Sequence, residues 1–127
     1  MKRDMELIRK ILFQLEEVFA PGEGLKFGLQ IDGFDSSIIG EHCELIYEAG
    51  LVRDFRSTRG GAGNNLLNYT IGPLNNRGHD YLELIRNDHV WKQTNEEVKK
   101  KNLPQTIQTI GNVAGSIFGA FMREYNR

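Results

Sequence analysis

Apolar residues divide the chain into segments of different period. Across residues 3–19, Met5, Ile8, Leu12, Leu15 and Phe19 recur at steps of three and four, and Leu7, Ile11 and Val18 widen the stripe. That spacing gives one buried helix face, and Pro21-Gly22 ends it. "LKFGLQIDGF" alternates weakly and is too short for a helix, so it reads as a short strand near 28–31. A second helix is expected over about 35–49, capped by Asp35 or Ser36. Its buried side is Ile38, Ile39, His42, Leu45, Ile46 and Ala49, and Gly50 supplies the left-handed stop.

The period then changes to two. Leu51, Val52 and Phe55 open a strand, "RGGAGNN" is rich in residues that tolerate positive φ, and "LLNYTI" returns. The expected product is a hairpin with a long tip. Asn75 or Asn76 caps a third helix whose inner face is Gly78, Tyr81, Leu82 and Ile85. Asp88 restarts a helix that buries Val90, Trp91, Thr94 and Val98, and "VKKKNLP" ends it. Pro104 fits the first turn of a last helix over 105–124.

A helix, a short strand, a helix, a hairpin and further helices make an α+β protein. Its small antiparallel sheet packs on helices, and the expected fold is a winged-helix-like domain over 1–101, with 102–127 as a helical C-terminal extension. "YEAGLVRDF", the Gly-rich hairpin and "LNNRGHDYLELI" resemble the wing half of winged-helix regulators, with Asn75 where Thr is usual. "MKRDMELIRKIL", "IYEAGLV" and "RGHDYLELIRNDHVW" resemble small proteins of unknown function from bacteria and their prophages, to which the shorter YjcQ type is similar. That resemblance covers roughly residues 1–101. It implies a winged-helix fold and an intracellular, prophage-linked setting, and no established activity. The chain departs from a full winged helix in one respect: between Pro21 and Gly50 there is room for only one useful helix, so the support helix is missing or reduced to a turn.

Composition narrows the function. The 127 residues carry a formal net charge of −1, whereas dedicated nucleic-acid binders are usually basic. One cysteine, Cys43, permits no internal disulfide and suits a reducing cytoplasm. No secretory leader or membrane span is expected.

Charge is distributed unevenly. The second helix carries Asp35, Glu41, Glu44 and Glu48 and no base, with the three glutamates on one face, which reads as solvated. The hairpin carries Arg53, Arg56 and Arg59 against Asp54. With Gly60, Gly61, Asn64 and Asn65 at its tip, it is the candidate contact for double-stranded DNA. His42, His79 and His89 lack metal spacing, and His42 and Cys43 diverge on a helix. No catalytic site, metal or cofactor is expected, and the chain does not read as an enzyme.

In the last helix Gly111, Gly115 and Gly119 recur every fourth residue beside Ile117, Phe118 and Phe121. Each interior glycine costs about 1 kcal/mol relative to Ala, so close packing is expected, on the domain itself or on a second copy in a homodimer. The leading expectation is a prophage-associated DNA-binding or regulatory protein, and the alternative is a module for protein contact and oligomerisation on the same scaffold, without DNA binding.

Overall fold

Asp4 opens the first helix, α1 (Met5–Val18), by accepting from the amides of Glu6 (2.9 Å) and Leu7 (3.2 Å). These are two of the donors that every helix start leaves without a backbone partner. The structure is a computed structural model, and it describes residues 1–24 and 26–125. The chain forms two units, Met1–His79 and Asp80–Arg127. Among the described residues it is an α+β protein of five helices and three strands.

In the first unit α1 is followed by β1 (Lys26–Phe27), α2 (Ser36–Glu48), β2 (Phe55–Gly60), β3 (Asn65–Ile71) and the start of α3 (Asn76–Ile85). The sheet is antiparallel in the order β1-β3-β2. Its core comprises Leu7, Ile8, Ile11, Leu12 and Leu15 of α1, Ile39, Cys43 and Ile46 of α2, and Tyr69 and Ile71 of β3. The buried face of α2 is rotated from the expected one. Gly40 and Cys43 are buried, while Ile38, Leu45 and Ala49 are half-buried. The cause is that α2 is flanked by α1 on one side and β3 on the other.

The first strand lies at 26–27, short of the expected 28–31. Pairing stops at Phe27 because the next donor is taken by a side chain. The Leu29 amide donates to the Tyr69 hydroxyl at 2.8 Å. Gly28 permits this approach, since a Cβ there would lie 3.2 Å from that hydroxyl.

Gly50 ends α2 as expected, at φ 78°. Its amide donates to Tyr47 O (2.9 Å) and that of Leu51 to Ile46 O (3.2 Å), the two bonds of a Schellman motif. β2 begins at Phe55 and not at Leu51. The chain bends at Arg53-Asp54, and the Asp54 carboxylate accepts the Phe55 amide at 2.8 Å. Asn75 caps α3 through the Gly78 amide (2.8 Å), and its own amide group donates back to Gly50 O (2.8 Å). One side chain thus ties the end of α2 to the start of α3. Gly78 has no room for a side chain, because a Cβ would collide with the Leu51 carbonyl.

In the second unit Asn87 caps α4 (Asp88–Lys100) through the amides of His89 (2.8 Å) and Val90 (3.1 Å). Val90, Trp91, Thr94 and Val98 are all buried, as their spacing requires. The helix ends in a second Schellman motif, with Asn102 at φ 51° and Leu103 N donating to Val98 O at 2.9 Å. α5 (Ile107–Tyr125) starts two residues later than expected. Thr106 caps it by accepting the Thr109 amide (3.0 Å), which leaves Pro104 outside the helix. Tyr81 donates to Ile107 O at 2.8 Å, and burial raises the pKa of its phenol. Among the described residues no helix is long and apolar enough to cross a membrane.

Candidate interaction surface

Strand alternation gives the hairpin two faces. Phe55, Arg59, Leu66 and Tyr69 turn toward α2. Arg56, Thr58 and Asn68 turn away and are exposed. A register shift between Thr58 and Arg59 sets Thr58 opposite Asn68 and Arg59 opposite Leu66. Leu67 is therefore the extra residue of a bulge, and it is 64% exposed.

Contact with α2 is close. A Cβ on Gly40 would fall 2.6 Å from Tyr69 Cδ1 and closer still to Leu66. Tyr47, Phe55 and Tyr69 form a ladder of rings with centroids 6.0 and 6.1 Å apart. Beyond it, the Arg59 guanidinium is held between the carboxylates of Glu41 and Glu44. The same guanidinium donates to Asn64 O across the tip at 3.2 Å. Glu41 and Glu44 can share one cation because residues three apart lie on one helix face. Their hydrogen bonds raise the pKa of Arg59 further above its ordinary value. The glutamate face is thus not simply solvated: two of its three carboxylates are matched by a base from the hairpin.

The other candidate residues separate. Arg56 is exposed on the outer face, with Nε 3.4 Å from the Asp54 carboxylate. Arg53 lies below the strand, where it lines a cleft of about 390 Å3 with Glu16, Glu23 and His79. Arg53 lies before the bend that precedes β2, and Arg59 lies near the far end of that strand. Gly60, Gly61, Asn64 and Asn65 do gather at the tip, which is a turn of four residues with Gly61 at φ 79° and Asn64 at φ 51°.

The glycines of α5 separate as well. A Cβ on Gly111 would lie 2.9 Å from the Tyr81 ring, so this glycine serves packing within its unit. Gly115 meets nothing within 4 Å, and Gly119 only the end of Arg123. Ile117 and Phe118 are half-buried and Phe121 is 39% exposed. Ile117 and Phe121 border a groove of about 520 Å3 with His89, Gln93, Ala120 and Glu124.

His42 and Cys43 are core residues. Both nitrogens of His42 are used by backbone: Nε2 accepts from the Asp4 amide (2.9 Å) and Nδ1 donates to Ile38 O (2.8 Å). Burial pushes the Cys43 thiol up to about 12, against a hydrogen bond from Tyr69 that opposes the rise. Burial, then the neighbouring thiol, pushes Tyr69 up to about 12. Among the described residues no three His, Cys, Asp or Glu side chains could hold a metal ion together. Gly40 and Tyr69 organise this surface and were not singled out in the sequence. A glycine in the middle of "SSIIGEHCEL" was the available signal for Gly40, since a helix accepts one at a cost that close packing offsets.

Residues 2–104 match the model of a family of hypothetical proteins, DUF2513. The chain belongs to this family. An uncharacterised protein of Haemophilus influenzae is 34% identical over 125 residues, spanning 96% of this chain and 99% of the relative. No solved structure matches. The DUF2513 match stops ahead of α5, whereas the Haemophilus alignment runs over nearly all of both chains and so extends well into α5.

Proposed function

We propose that this DUF2513 chain is an intracellular, winged-helix-like interaction module that works by protein contact, without catalysis and without reading DNA. The order of elements supports the winged-helix frame. A helix, a short strand, a helix and a hairpin follow one another, and the first strand pairs with the returning arm of the hairpin. Between β1 and β2 stands one helix, α2, where the full plan has two, and its outward face is acidic. The observation that carries the reading is the ion pairing of Arg59 with Glu41 and Glu44. The arginine nearest the hairpin tip is committed to its own helix. Arg56 stands beside Asp54, so an acid lies next to each of the two arginines of β2.

A second reading has its own observation. Arg56 and residues 61–65 of the tip are exposed, so a hairpin-led contact with the DNA backbone would make this a regulatory DNA-binding protein. Fluorescence anisotropy of a labelled mixed-sequence duplex, titrated with the protein at low and near-physiological salt, separates the two. No binding at either salt is expected. Micromolar binding that collapses as salt rises, and that is abolished when Arg53, Arg56 and Arg59 are all replaced by Ala, would overturn the proposal.

A further inference from the structure

We infer that the outer edge of β2 is a self-association site, at which β2 of a second copy adds antiparallel about Ser57 to make a six-stranded sheet. The inference rests on the protein-contact reading above. β2 is the last strand of its sheet, and among the described residues no strand lies on its outer side. Two hydrogen bonds fix which backbone groups face outward. The Gly72 amide donates to Asp54 O (2.9 Å), and the Phe55 amide is taken by the Asp54 carboxylate (2.8 Å). Phe55 and Ile71 are therefore a non-hydrogen-bonded pair. Arg56 and Thr70 exchange bonds with each other, and Ser57 turns its amide and carbonyl away from β3.

Ser57 is flanked by exposed Arg56 and Thr58, with no bulky cover. On the helix side the edge carries Phe55, stacked on Tyr47, and Arg59, paired with Glu41 and Glu44, while Ser57 between them is exposed. The Asp54 carboxylate closes the near end of the edge, so the free stretch runs from the Phe55 carbonyl to Arg59. An unguarded strand edge of this kind is a template for pairing.

Charge selects the second copy and the register. With Ser57 opposite Ser57 of the second copy, Arg56 faces its Thr58 on the outer face. On the helix face, Arg59 comes beside its Phe55. The Phe55 ring of each copy then lies beside the aliphatic stem of the other's Arg59, whose guanidinium stays on Glu41 and Glu44. No like charges stand directly opposite. A pairing centred one residue earlier would set Arg56 against Arg56.

Sedimentation equilibrium of the full chain from micromolar to millimolar concentration tests the site. The weight-average mass should climb from the 14.5 kDa of one chain toward twice that value. Ser57→Pro removes the outward amide at an edge position where proline is tolerated, and it should weaken association at least about tenfold with the far-UV spectrum unchanged. Thr58→Glu, facing Arg56 of the second copy, should tighten association in a salt-sensitive way, and Thr58→Lys should loosen it. Should Ser57→Pro unfold, this opposed pair carries the test alone. A mass that stays at one chain, association indifferent to Ser57→Pro, or Thr58→Glu and Thr58→Lys acting alike would each overturn the site. A monomer that also ignores DNA would remove this inference and leave the proposed function standing. Duplex binding in the anisotropy titration would remove both.

Discussion

The two faces of the hairpin are made from the same two strands and differ in nearly everything else. On the face toward α2, Gly40 brings the helix against Leu66 and Tyr69, three rings stack, and Arg59 lies between two carboxylates. On the other face Arg56, Thr58, Leu67 and Asn68 are exposed. The difference shows that position on a pleated strand, and not residue type, decides what an arginine does. Arg59 closes the hairpin onto the helix, while Arg56, three residues earlier, stands 74% exposed beside Asp54.

Substitution should reproduce that contrast. The largest effect is expected at Gly40. Gly40→Ala forces the helix off Leu66 and Tyr69 and should destabilise the protein by about 1–3 kcal/mol in urea unfolding. Leu67→Thr, on the bulge, should change stability by no more than about 0.5 kcal/mol. Equal effects would erase the distinction between the faces. Tyr69→Phe comes next. It leaves the buried Leu29 amide without its acceptor and should cost about 1–3 kcal/mol, whereas Asn68→Ala beside it should be near neutral.

The pH response sharpens the same contrast. Cys43 and Tyr69 are held up to about 12 by burial, against ordinary values of 9.0 and 10.0. Above pH 9 the unfolded chain releases protons that the native state retains, so the unfolded state binds fewer. Their stabilisation is complete below about pH 9 and is lost as pH rises toward about 12. Urea midpoints should therefore fall between pH 8 and pH 10.5, and fall less in Tyr69→Phe. The smallest effect is expected from the arginines. Arg59→Gln should speed amide hydrogen exchange at the hairpin tip, and Arg56→Gln should leave it unchanged.

Local signals made much of this architecture readable. The α1 stripe, the left-handed stop at Gly50 and the helix restart at Asp88 each depend on residues within a few positions. What escaped the sequence depends on distance along the chain. β1 ends where it does because of the Tyr69 hydroxyl, 40 positions beyond Leu29. The glutamate face read as solvated because nothing near Glu41 or Glu44 shows that an arginine 18 or 15 positions later returns to it. The same separation hid the division of labour among Arg53, Arg56 and Arg59, which sequence alone groups together. For the α5 glycines, spacing revealed the stripe, but only the fold distinguishes Gly111 under Tyr81 from Gly115, which meets nothing.

The most direct measurement compares the wild type with Glu41→Gln/Glu44→Gln in the duplex anisotropy titration at low salt. Freeing Arg59 and removing two carboxylates should give the double variant salt-sensitive DNA binding that the wild type lacks. A wild type that binds the duplex as tightly as the double variant would show that the charge of the hairpin is not spent on its own helix.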